Sequence, residues 1–271
     1  MAADPAAELD PLAPATPSAE AFFHPDGDAL VPAEFATSPW GEVLHGRLIG
    51  GLTARETERA RADDPDLACG RLTIDMFRSA AVAPVRVTSR TIRSGRRIVV
   101  LEVTIGQESG LIGQGRAVLL RRSEQPVPAP LLGTPPWDAP TPQDLGAPRP
   151  ASAGRWTAPW NSWTATESPR GMWIQETHPL VTAEEPTPLT RLALAADLAS
   201  PAANSSADGL HFINADYTVH LGREPDGEYI GIQPVAHIST NGVGAGHCIA
   251  HDLDGPVGFI ATTALANSRA G

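Results

Sequence analysis

The residues best suited to chemistry lie in the C-terminal part of the chain, between Leu210 and Ala266. Asp216 stands there in an otherwise apolar, strand-like run, and a carboxylate in such a place is costly unless it is hydrogen-bonded or lines a cleft. Later hairpins carry hydroxyl and amide groups that can hold a water molecule beside a carboxylate. We therefore predict that neighbouring strands gather these groups around one water; the alternative is that Asp216 caps a turn. The candidates for this site are Asp216, Thr240, Asn241, Thr262 and Thr263.

The composition is that of a folded protein in a reducing compartment. Hydrophobic residues make up 42% of the 271 residues, and no apolar run approaches the ~18 residues that a membrane span needs. The N-terminus lacks the basic-then-apolar order of a secretory signal. The only two cysteines, Cys69 and Cys248, are too few for a disulfide framework. We therefore expect a cytoplasmic protein without a membrane span.

The charge is acidic overall and locally basic. A formal net charge of −11 argues against nucleic-acid binding, because phosphate backbones need a basic face. All 20 basic residues are arginine, which excludes lysine Schiff-base chemistry and the lysine of a P-loop. Half of the arginines fall within residues 71–122, which indicates a small polyanionic partner such as the phosphates of a nucleotide-like carrier. The candidate contacts are Arg93, Arg96 and Arg97; the alternative is that these side chains line the solvent face of a sheet.

The first half of the chain predicts one helix followed by a sheet. Residues 1–20 are rich in Ala, Pro and Asp, which predicts a flexible tail. Helical periodicity with a glycine-rich start runs from Leu44 to Ala60. Alternating and β-branched runs separated by Ser-Gly turns fill residues 70–122. This pattern predicts an α+β unit over residues 21–122, with the helix packed on one face of an antiparallel sheet.

A proline-rich segment separates this unit from a second one. The prolines of residues 123–150 exclude a central strand, and the tryptophans in and after this stretch predict a linker, residues 123–165, that packs on a domain surface. Thr187 as N-cap and Pro188 at the first helical position predict a helix start. Strands are predicted to follow, so the second unit is assigned to residues 166–271. These strands cover residues 210–221, 228–237, 243–251 and 256–265.

The two units present the same landmarks in the same order. Each has an aspartate in an early strand, a turn glycine after it and a hairpin of two glycines near its end, which predicts two copies of one fold. Asp75 is then the counterpart of Asp216. The matched glycines are Gly95 with Gly242, Gly110 with Gly255, and Gly113 with Gly258.

A helix wrapped by an antiparallel sheet and duplicated in one chain resembles the double hotdog fold. Ser38-Pro-Trp40 before His45-Gly46 looks like the helix entry of actinobacterial proteins in the acyl-CoA thioesterase II (TesB-like) family. The strand Phe212–Leu221 is similar to the one that carries that family's catalytic aspartate, and residues 254–258 resemble its last hairpin. The resemblance extends over residues 21–266.

This resemblance implies hydrolysis of an acyl-CoA thioester within fatty acid metabolism. In the family, an aspartate, a Ser/Thr and a glutamine hold the attacking water, which assigns Asp216 as base or water-orienting carboxylate and Thr240, in Ser239-Thr240, as a second water ligand. The glutamine's place falls on Thr262 or Thr263, and Arg47 replaces a glycine of the helix entry. Acyl-CoA is the implied partner, no cofactor is implied, and a homodimer is the expected assembly. The substrate tunnel is expected between helix and sheet near the contact of the two units.

The helix start and a histidine pair each allow more than one interpretation. Backbone N–H groups at Gly46 could hold an oxyanion or a phosphate, with His45 in contact with substrate; alternatively, the glycines permit close helix–sheet packing. His247 and His251 lie ~13 Å apart along an extended strand, too far to share one ion. No metal site is therefore predicted.

Two other functions remain open. The replacement of the family's glutamine by threonine is compatible with a non-catalytic acyl- or acyl-CoA-binding hotdog protein. A hotdog hydratase or dehydratase would carry a histidine five residues after the aspartate, and this chain has Leu221 there and His220 one residue earlier.

Overall fold

A single antiparallel sheet of eleven strands dominates the part of the chain that the structure describes. The structure, a computed structural model, describes residues 20–38, 41–127, 132–137, 149–151, 154–156, 171–206 and 209–267. The predicted tail, residues 1–20, lies outside this description except for Glu20, as do Trp40 and parts of the predicted linker.

The first half of the chain forms one long helix and four long strands, as its hydrophobic pattern predicts. The helix begins at Arg47, three residues later than its predicted start at Leu44, because Gly41–Leu44 pairs with Thr37–Ser38 in a small hairpin. The elements are β1 Phe23–Asp26, β2 Ala29–Pro32, a short 3-10 turn Glu34–Ala36, β3 Thr37–Ser38, β4 Gly41–Leu44, α1 Arg47–Ala60, β5 Leu67–Met76, β6 Arg86–Ser94, β7 Ile98–Gln107 and β8 Gly110–Arg121.

The second half repeats this plan with a divided helix. The Thr187 side chain accepts a hydrogen bond from the Thr190 N–H at 3.1 Å, and Pro188 opens the helix, as predicted. The helix ends at Ala196 because Pro201, without an N–H, cannot donate to the carbonyl of Asp197. The elements are β9 Arg149–Ala151, β10 Gly154–Trp156, β11 Met172–Gln175, α2 Pro188–Ala196, α3 Ala199–Asn204, β12 Ser205–Ser206, β13 Gly209–Leu210, β14 Phe212–Leu221, β15 Tyr229–Thr240, β16 Val243–Asp252 and β17 Gly255–Ala266.

The two halves join where β5 pairs with β14 in the middle of the sheet, a contact that we call the seam. From the seam outwards, the first half runs β5, β8, β7, β6 and the second runs β14, β17, β16, β15, which is the same order. Thr73 and Thr218 are register partners at the centre of the seam, and their hydroxyl groups hydrogen-bond at 3.2 Å. The α+β class and the two-unit plan are therefore confirmed.

The segment predicted as a linker contributes to the sheet. β9 and β10 lie within residues 123–165 and, with β11, extend the sheet beyond β15. Trp137 packs its ring 5.0 Å from that of Trp173 and 4.5 Å from that of His251. This contact agrees with the prediction that the crossing chain packs on a domain surface. Trp160, Trp163 and the side chain of Trp156 fall outside the described residues.

The predicted equivalence of Asp75 and Asp216 is wrong. The two aspartates are direct register partners across the seam. The two units can be matched at the hairpin glycines Gly110 and Gly255. The residue four positions after Gly110 pairs with Asp75, and the residue four positions after Gly255 pairs with His220. His220 is therefore the equivalent of Asp75. Antiparallel pairing about a twofold-like axis places each residue opposite a non-equivalent one, except at the axis itself.

Both helices pack on one face of the sheet, and Tyr217 of β14 ties them together. Its side chain is fully buried, and its hydroxyl donates to the carbonyl of Ala193 in α2 at 2.7 Å. A Cβ atom at Gly50 of α1 would lie 1.6 Å from that hydroxyl oxygen and 3.0 Å from the Ala193 carbonyl oxygen. Only glycine fits here, so close packing explains the glycine at this position of α1.

The described residues include no helix long and apolar enough to cross a membrane. Cys69 and Cys248 are free thiols in the buried core. Burial raises the pKa of each thiol to about 12, so both are unreactive at neutral pH.

We expect Gly50→Ala to lower the free energy of unfolding by about 1–3 kcal/mol, because the added methyl group overpacks the contact between α1 and Tyr217. Tyr217→Phe removes the closest atom, so the two substitutions together should cost less than the sum of their separate effects. Urea denaturation of the four proteins measures this coupling. Gly222→Ala is the control, since its nearest contact would be 3.9 Å away; a purely additive double variant would contradict the packing account.

Candidate active site

Asp216 lies on the face of the sheet away from the helices, which we call the open face, at a bulge in the pairing of β14 with β17. Its carboxylate accepts a hydrogen bond from the Thr263 N–H at 2.9 Å and a short one from the Thr263 hydroxyl. A bulge leaves a backbone group without its hydrogen-bond partner on the neighbouring strand. Here the group is the Thr263 N–H, and the Asp216 carboxylate accepts its hydrogen bond. Each carboxylate oxygen retains acceptor capacity for a further donor such as water.

Asp75 faces Asp216 directly across the seam. Register partners on one face of an antiparallel pair have Cβ atoms about 5 Å apart, and like charges there repel. Burial and then the charge of Asp216 raise the pKa of Asp75, and Arg116 partly opposes this shift. Asp75 therefore keeps its proton to a higher pH than an ordinary aspartate does.

Thr262 and Thr263, the two candidates for the glutamine's place, point to opposite faces of the sheet. Thr263 contacts Asp216, whereas Thr262 is buried under α3 and accepts a hydrogen bond from the Asn204 amide at 3.4 Å. Successive side chains of a strand alternate between faces, so only one of the two can reach Asp216. That residue is Thr263.

Thr240 and Asn241 do not lie beside Asp216. Thr240 ends β15, which is separated from β14 by β17 and β16, so it is roughly 14 Å away at ~4.8 Å per strand. Asn241 forms the following turn with a φ of 51°, a left-handed conformation that asparagine tolerates. The predicted meeting of Asp216 with Thr240 around one water therefore does not occur. His220 shares the open face with Asp216, at ~13 Å along the strand.

His45 and Gly46 lie at the start of α1, against residues of the second half. The His45 Nδ1 is 3.8 Å from a carboxylate oxygen of Asp197, which follows α2. Burial, followed by the charge of Arg47, lowers the pKa of His45 to about 3, so the imidazole is neutral at pH 7 and this contact is not an ion pair. A Cβ atom at Gly46 would lie 2.8 Å from the sulfur of Met76, which again favours a packing role for the glycine.

Asp197 is a buried carboxyl group that the sequence analysis did not single out. Asn214 of β14 donates to it at 2.6 Å. Burial raises the pKa of Asp197 to about 6, against the opposing effects of this hydrogen bond and of Arg47. A carboxyl group with a raised pKa, at the end of α2 and beside the start of α1, is a candidate acid or base.

Arg47, which replaces the second glycine of the helix entry, is buried. Its guanidinium lies 2.8 Å from a carboxylate oxygen of Glu176 and 5.1 Å from the ring centre of Phe22. The Arg47 and Glu176 side chains are each 1% exposed. The arginine therefore joins α1 to the chain around β11 through a buried ion pair.

The predicted tunnel between helix and sheet is filled at the seam. Tyr217 and its register partner Ile74 are both fully buried beneath the helices. Side chains that are packed at core density leave no channel for an acyl chain.

Arg93, Arg96 and Arg97 lie at the far corner of the sheet, at the end of β6 and in the turn that follows. Along the sheet they are roughly 25 Å from Asp216, at ~4.8 Å per strand and ~3.3 Å per residue. Arg116 is closer: it pairs with Thr73 at the seam and bonds Glu102 at 3.0 Å.

The described residues contain no group of three or more His, Cys, Asp or Glu side chains that could hold a metal ion. His251 bonds the Gln233 side chain at 2.9 Å instead.

Solved structures define the class of fold. A tesB protein of Mycobacterium avium subsp. paratuberculosis matches with a TM-score of 0.61 at 14% identity, over 88% of this chain and 92% of that one. The acyl-CoA thioesterase II TesB2 of Mycobacterium marinum gives 0.54 at 16%, over 91% and 94%. A conserved protein with a hot dog fold from Alicyclobacillus acidocaldarius gives 0.59 at 15%, over 90% and 94%. The chain therefore has the double hotdog fold.

The family of this protein is identified by two matches between its sequence and models of protein-family domains. Residues 36–120 match the acyl-CoA thioesterase N-terminal domain, and residues 126–265 match the acyl-CoA thioesterase C-terminal domain. The chain belongs to the acyl-CoA thioesterase family, which supports thioester hydrolysis in general. It has no match among curated protein sequences.

We expect Asp197→Asn to stabilise the protein at neutral pH. The pKa of Asp197 is about 6 in the folded state and 3.8 as its ordinary value, so folding opposes its ionisation. This penalty is absent below pH 3.8, grows between pH 4 and 6, and reaches about 3 kcal/mol above pH 6, at ~1.4 kcal/mol per pKa unit. Chemical denaturation should therefore show a larger gain for the variant at pH 7.5 than at pH 4.

Asp254→Asn, in the exposed turn between β16 and β17, is the matched control. An equal effect of Asp197→Asn at both pH values would show that the carboxyl group does not carry a raised pKa.

Proposed function

We propose that this protein hydrolyses acyl-CoA thioesters with a water molecule held by Asp216 on the open face of the seam. The contact of Thr263 with Asp216 carries this proposal. This contact links Asp216, which the family resemblance assigns as the catalytic aspartate, to Thr263, one of the two candidates for the place of the family's glutamine. Thr263, and not Thr240, is the second polar group of the proposed site.

The chemistry needs only these groups and the substrate. Asp216 accepts a proton from the water as the water oxygen attacks the thioester carbonyl carbon. The C–S bond then breaks as Asp216 returns this proton to the leaving sulfur, which releases the CoA thiol and the free acid. Thr263 holds the carboxylate in place through two hydrogen bonds. Asp216 is partly exposed, so water can reach it.

Apolar side chains beside Asp216 support an acyl substrate. Across the sheet from Thr263, the next residues in register are Ala245 and then Ile238, whose side chain is 75% exposed. Val243 and Leu265 flank this row and are 65% and 53% exposed. Contiguous apolar surface of this kind marks a binding site more often than an inert face, and an acyl chain fits it across β16 and β15.

Several finer predictions accompany this proposal. We keep as a prediction that the CoA phosphates contact Arg93, Arg96 and Arg97. The homodimer, the cytoplasmic location and the role in fatty acid metabolism also stay predictions. The distance of the three arginines from Asp216 makes Arg116 the better placed cation.

A non-catalytic acyl-CoA-binding protein is the second candidate. Threonine is shorter than glutamine, and Thr263 makes one hydrogen bond to each oxygen of Asp216. This observation favours a structural role for the pair at the bulge.

We expect Asp216→Asn to lower kcat/KM for acyl-CoA hydrolysis by about 100-fold or more, the usual loss when a general base is removed. Thr263→Val should lower it by about 10-fold, because a hydrogen bond to a charged group is lost. Thr240→Val, a matched change of an exposed threonine in the same sheet, should leave it unchanged. The release of CoA thiol from acyl-CoAs of several chain lengths measures all three.

The outcomes separate the candidates. Full activity in Asp216→Asn together with a loss in Asp197→Asn would move the site to the helix start. Binding of acyl-CoA by the wild type without hydrolysis at any chain length would establish the non-catalytic alternative.

A further inference from the structure

A second set of polar groups lies under the end of α3, on the face of the sheet opposite to Asp216. His237 and Ser239 are two residues apart in β15, so their side chains share that face. The His237 Nε2 is 2.8 Å from the Ser239 hydroxyl oxygen, and the His237 Nδ1 is 2.7 Å from the Asn204 amide oxygen. A hydroxyl, an imidazole and an amide therefore stand in one hydrogen-bonded line.

The Asn204 amide also contacts two hydroxyl groups. Its Nδ2 donates to the Ser200 hydroxyl at 3.0 Å and to the Thr262 hydroxyl at 3.4 Å. Asn204 is only 3% exposed, so its amide is fixed in the core. Its amide oxygen faces the His237 Nδ1.

With the Asn204 oxygen toward the ring, the matching neutral tautomer of His237 is the one protonated at Nδ1. An amide oxygen can only accept a hydrogen bond, so the His237 Nδ1 carries the proton and donates it. In the neutral ring the Nε2 then has a free lone pair and accepts from the Ser239 hydroxyl. Phe212 lies edge-on to the ring, with centroids 5.5 Å apart, and supports it from the side.

We propose that Ser239, His237 and Asn204 form a nucleophile, base and orienting group, a second acyl-transfer site that works through a covalent acyl-serine. The diagnostic geometry is a nucleophile within hydrogen-bond reach of a base that a third group holds in place. The nucleophile has to be accessible and the orienting group buried; Ser239 is exposed and Asn204 is buried. The substrate class is an activated ester with a phenol-like leaving group, such as an aryl ester.

The reaction balances within these groups and water. The Ser239 oxygen bonds to the acyl carbon as its proton passes to the His237 Nε2, and the bond to the leaving phenol breaks as that proton is returned to it. Water then attacks the acyl-serine, His237 accepts its proton and returns it to the Ser239 oxygen, and the free acid leaves. No oxidant, metal or cofactor is consumed.

This site is separate from the one proposed at Asp216. The family resemblance implies for a Ser/Thr in this region only the role of holding water. Asp216 lies on the other face of the sheet, with β17 and β16 between the two strands. The two sites can therefore be tested independently.

A fluorophosphonate probe tests the nucleophile directly. We expect it to label the wild type at one serine, with loss of fluoride, and peptide mass spectrometry should locate the label at Ser239. Ser239→Ala should abolish the label. His237→Gln should slow labelling by about 100-fold or more, since the base is lost. With p-nitrophenyl acetate the wild type should show a burst of nitrophenol that both variants lack.

Thr240→Val is the matched control, because Thr240 is an exposed hydroxyl on the opposite face of the same strand; its label and burst should equal those of the wild type. Asp216→Asn should also be labelled normally, so failure of the Asp216 proposal would leave this one standing. Circular dichroism shows whether Ser239→Ala and His237→Gln are folded. Absence of label at Ser239 in the wild type, or labelling that is unchanged in folded His237→Gln, would overturn the triad.

Discussion

The packing of Tyr217 between α1 and α2 sets the spacing of the helices above the seam, and the rest of the structure depends on it. The phenol reaches from β14 to the Ala193 carbonyl, and Gly50 gives it room. Because β14 is also the strand that pairs with β5, one side chain links both helices to the junction of the two halves. A larger residue at position 50 would separate the layers, and the polar groups at the helix ends would lose their register with the sheet.

The seam also divides the chemistry of the protein between two faces. On the open face, Asp216, Thr263 and Asp75 meet at the central strand pair, beside an apolar surface that extends over the second unit. On the helix-covered face, Asp197 and Asn204 hold their partners at the ends of α2 and α3. The alternation of side chains along a strand keeps these sets apart, so two neighbouring threonines of β17 serve different sites.

The fold was largely predictable because hydrophobic period, turn glycines and one helix cap agree with one another. The cap at Thr187 and the strands of both units lie close to where their patterns place them. Three features were not predictable in the same way. The start of α1 at Arg47 depends on the hairpin of β3 and β4. The break between α2 and α3, after Ala196, depends on Pro201. The edge strands β9 and β10 depend on pairing with β11, which the sequence does not reveal.

The candidate site was predictable only in part. Asp216 could be singled out because a carboxylate is unexpected in an otherwise apolar strand. Its partner could not be chosen, since Thr262 and Thr263 differ by one position and the bulge at Asp216 decides which of them meets it. Asp75 was recognised but mistaken for a repeat equivalent, because spacing along the chain does not give the pairing register.

The sequence by itself determined the kinds of element, their order, the duplication and the family resemblance, since these follow from local periodicity and short motifs. Only the tertiary structure decided which polar groups meet. The contact of Asp216 with Thr263, the burial of Asp197 and the line from Ser239 through His237 to Asn204 each join residues from different elements. Their distances depend on strand register and helix placement, which are set by packing across the whole sheet and not by any one segment.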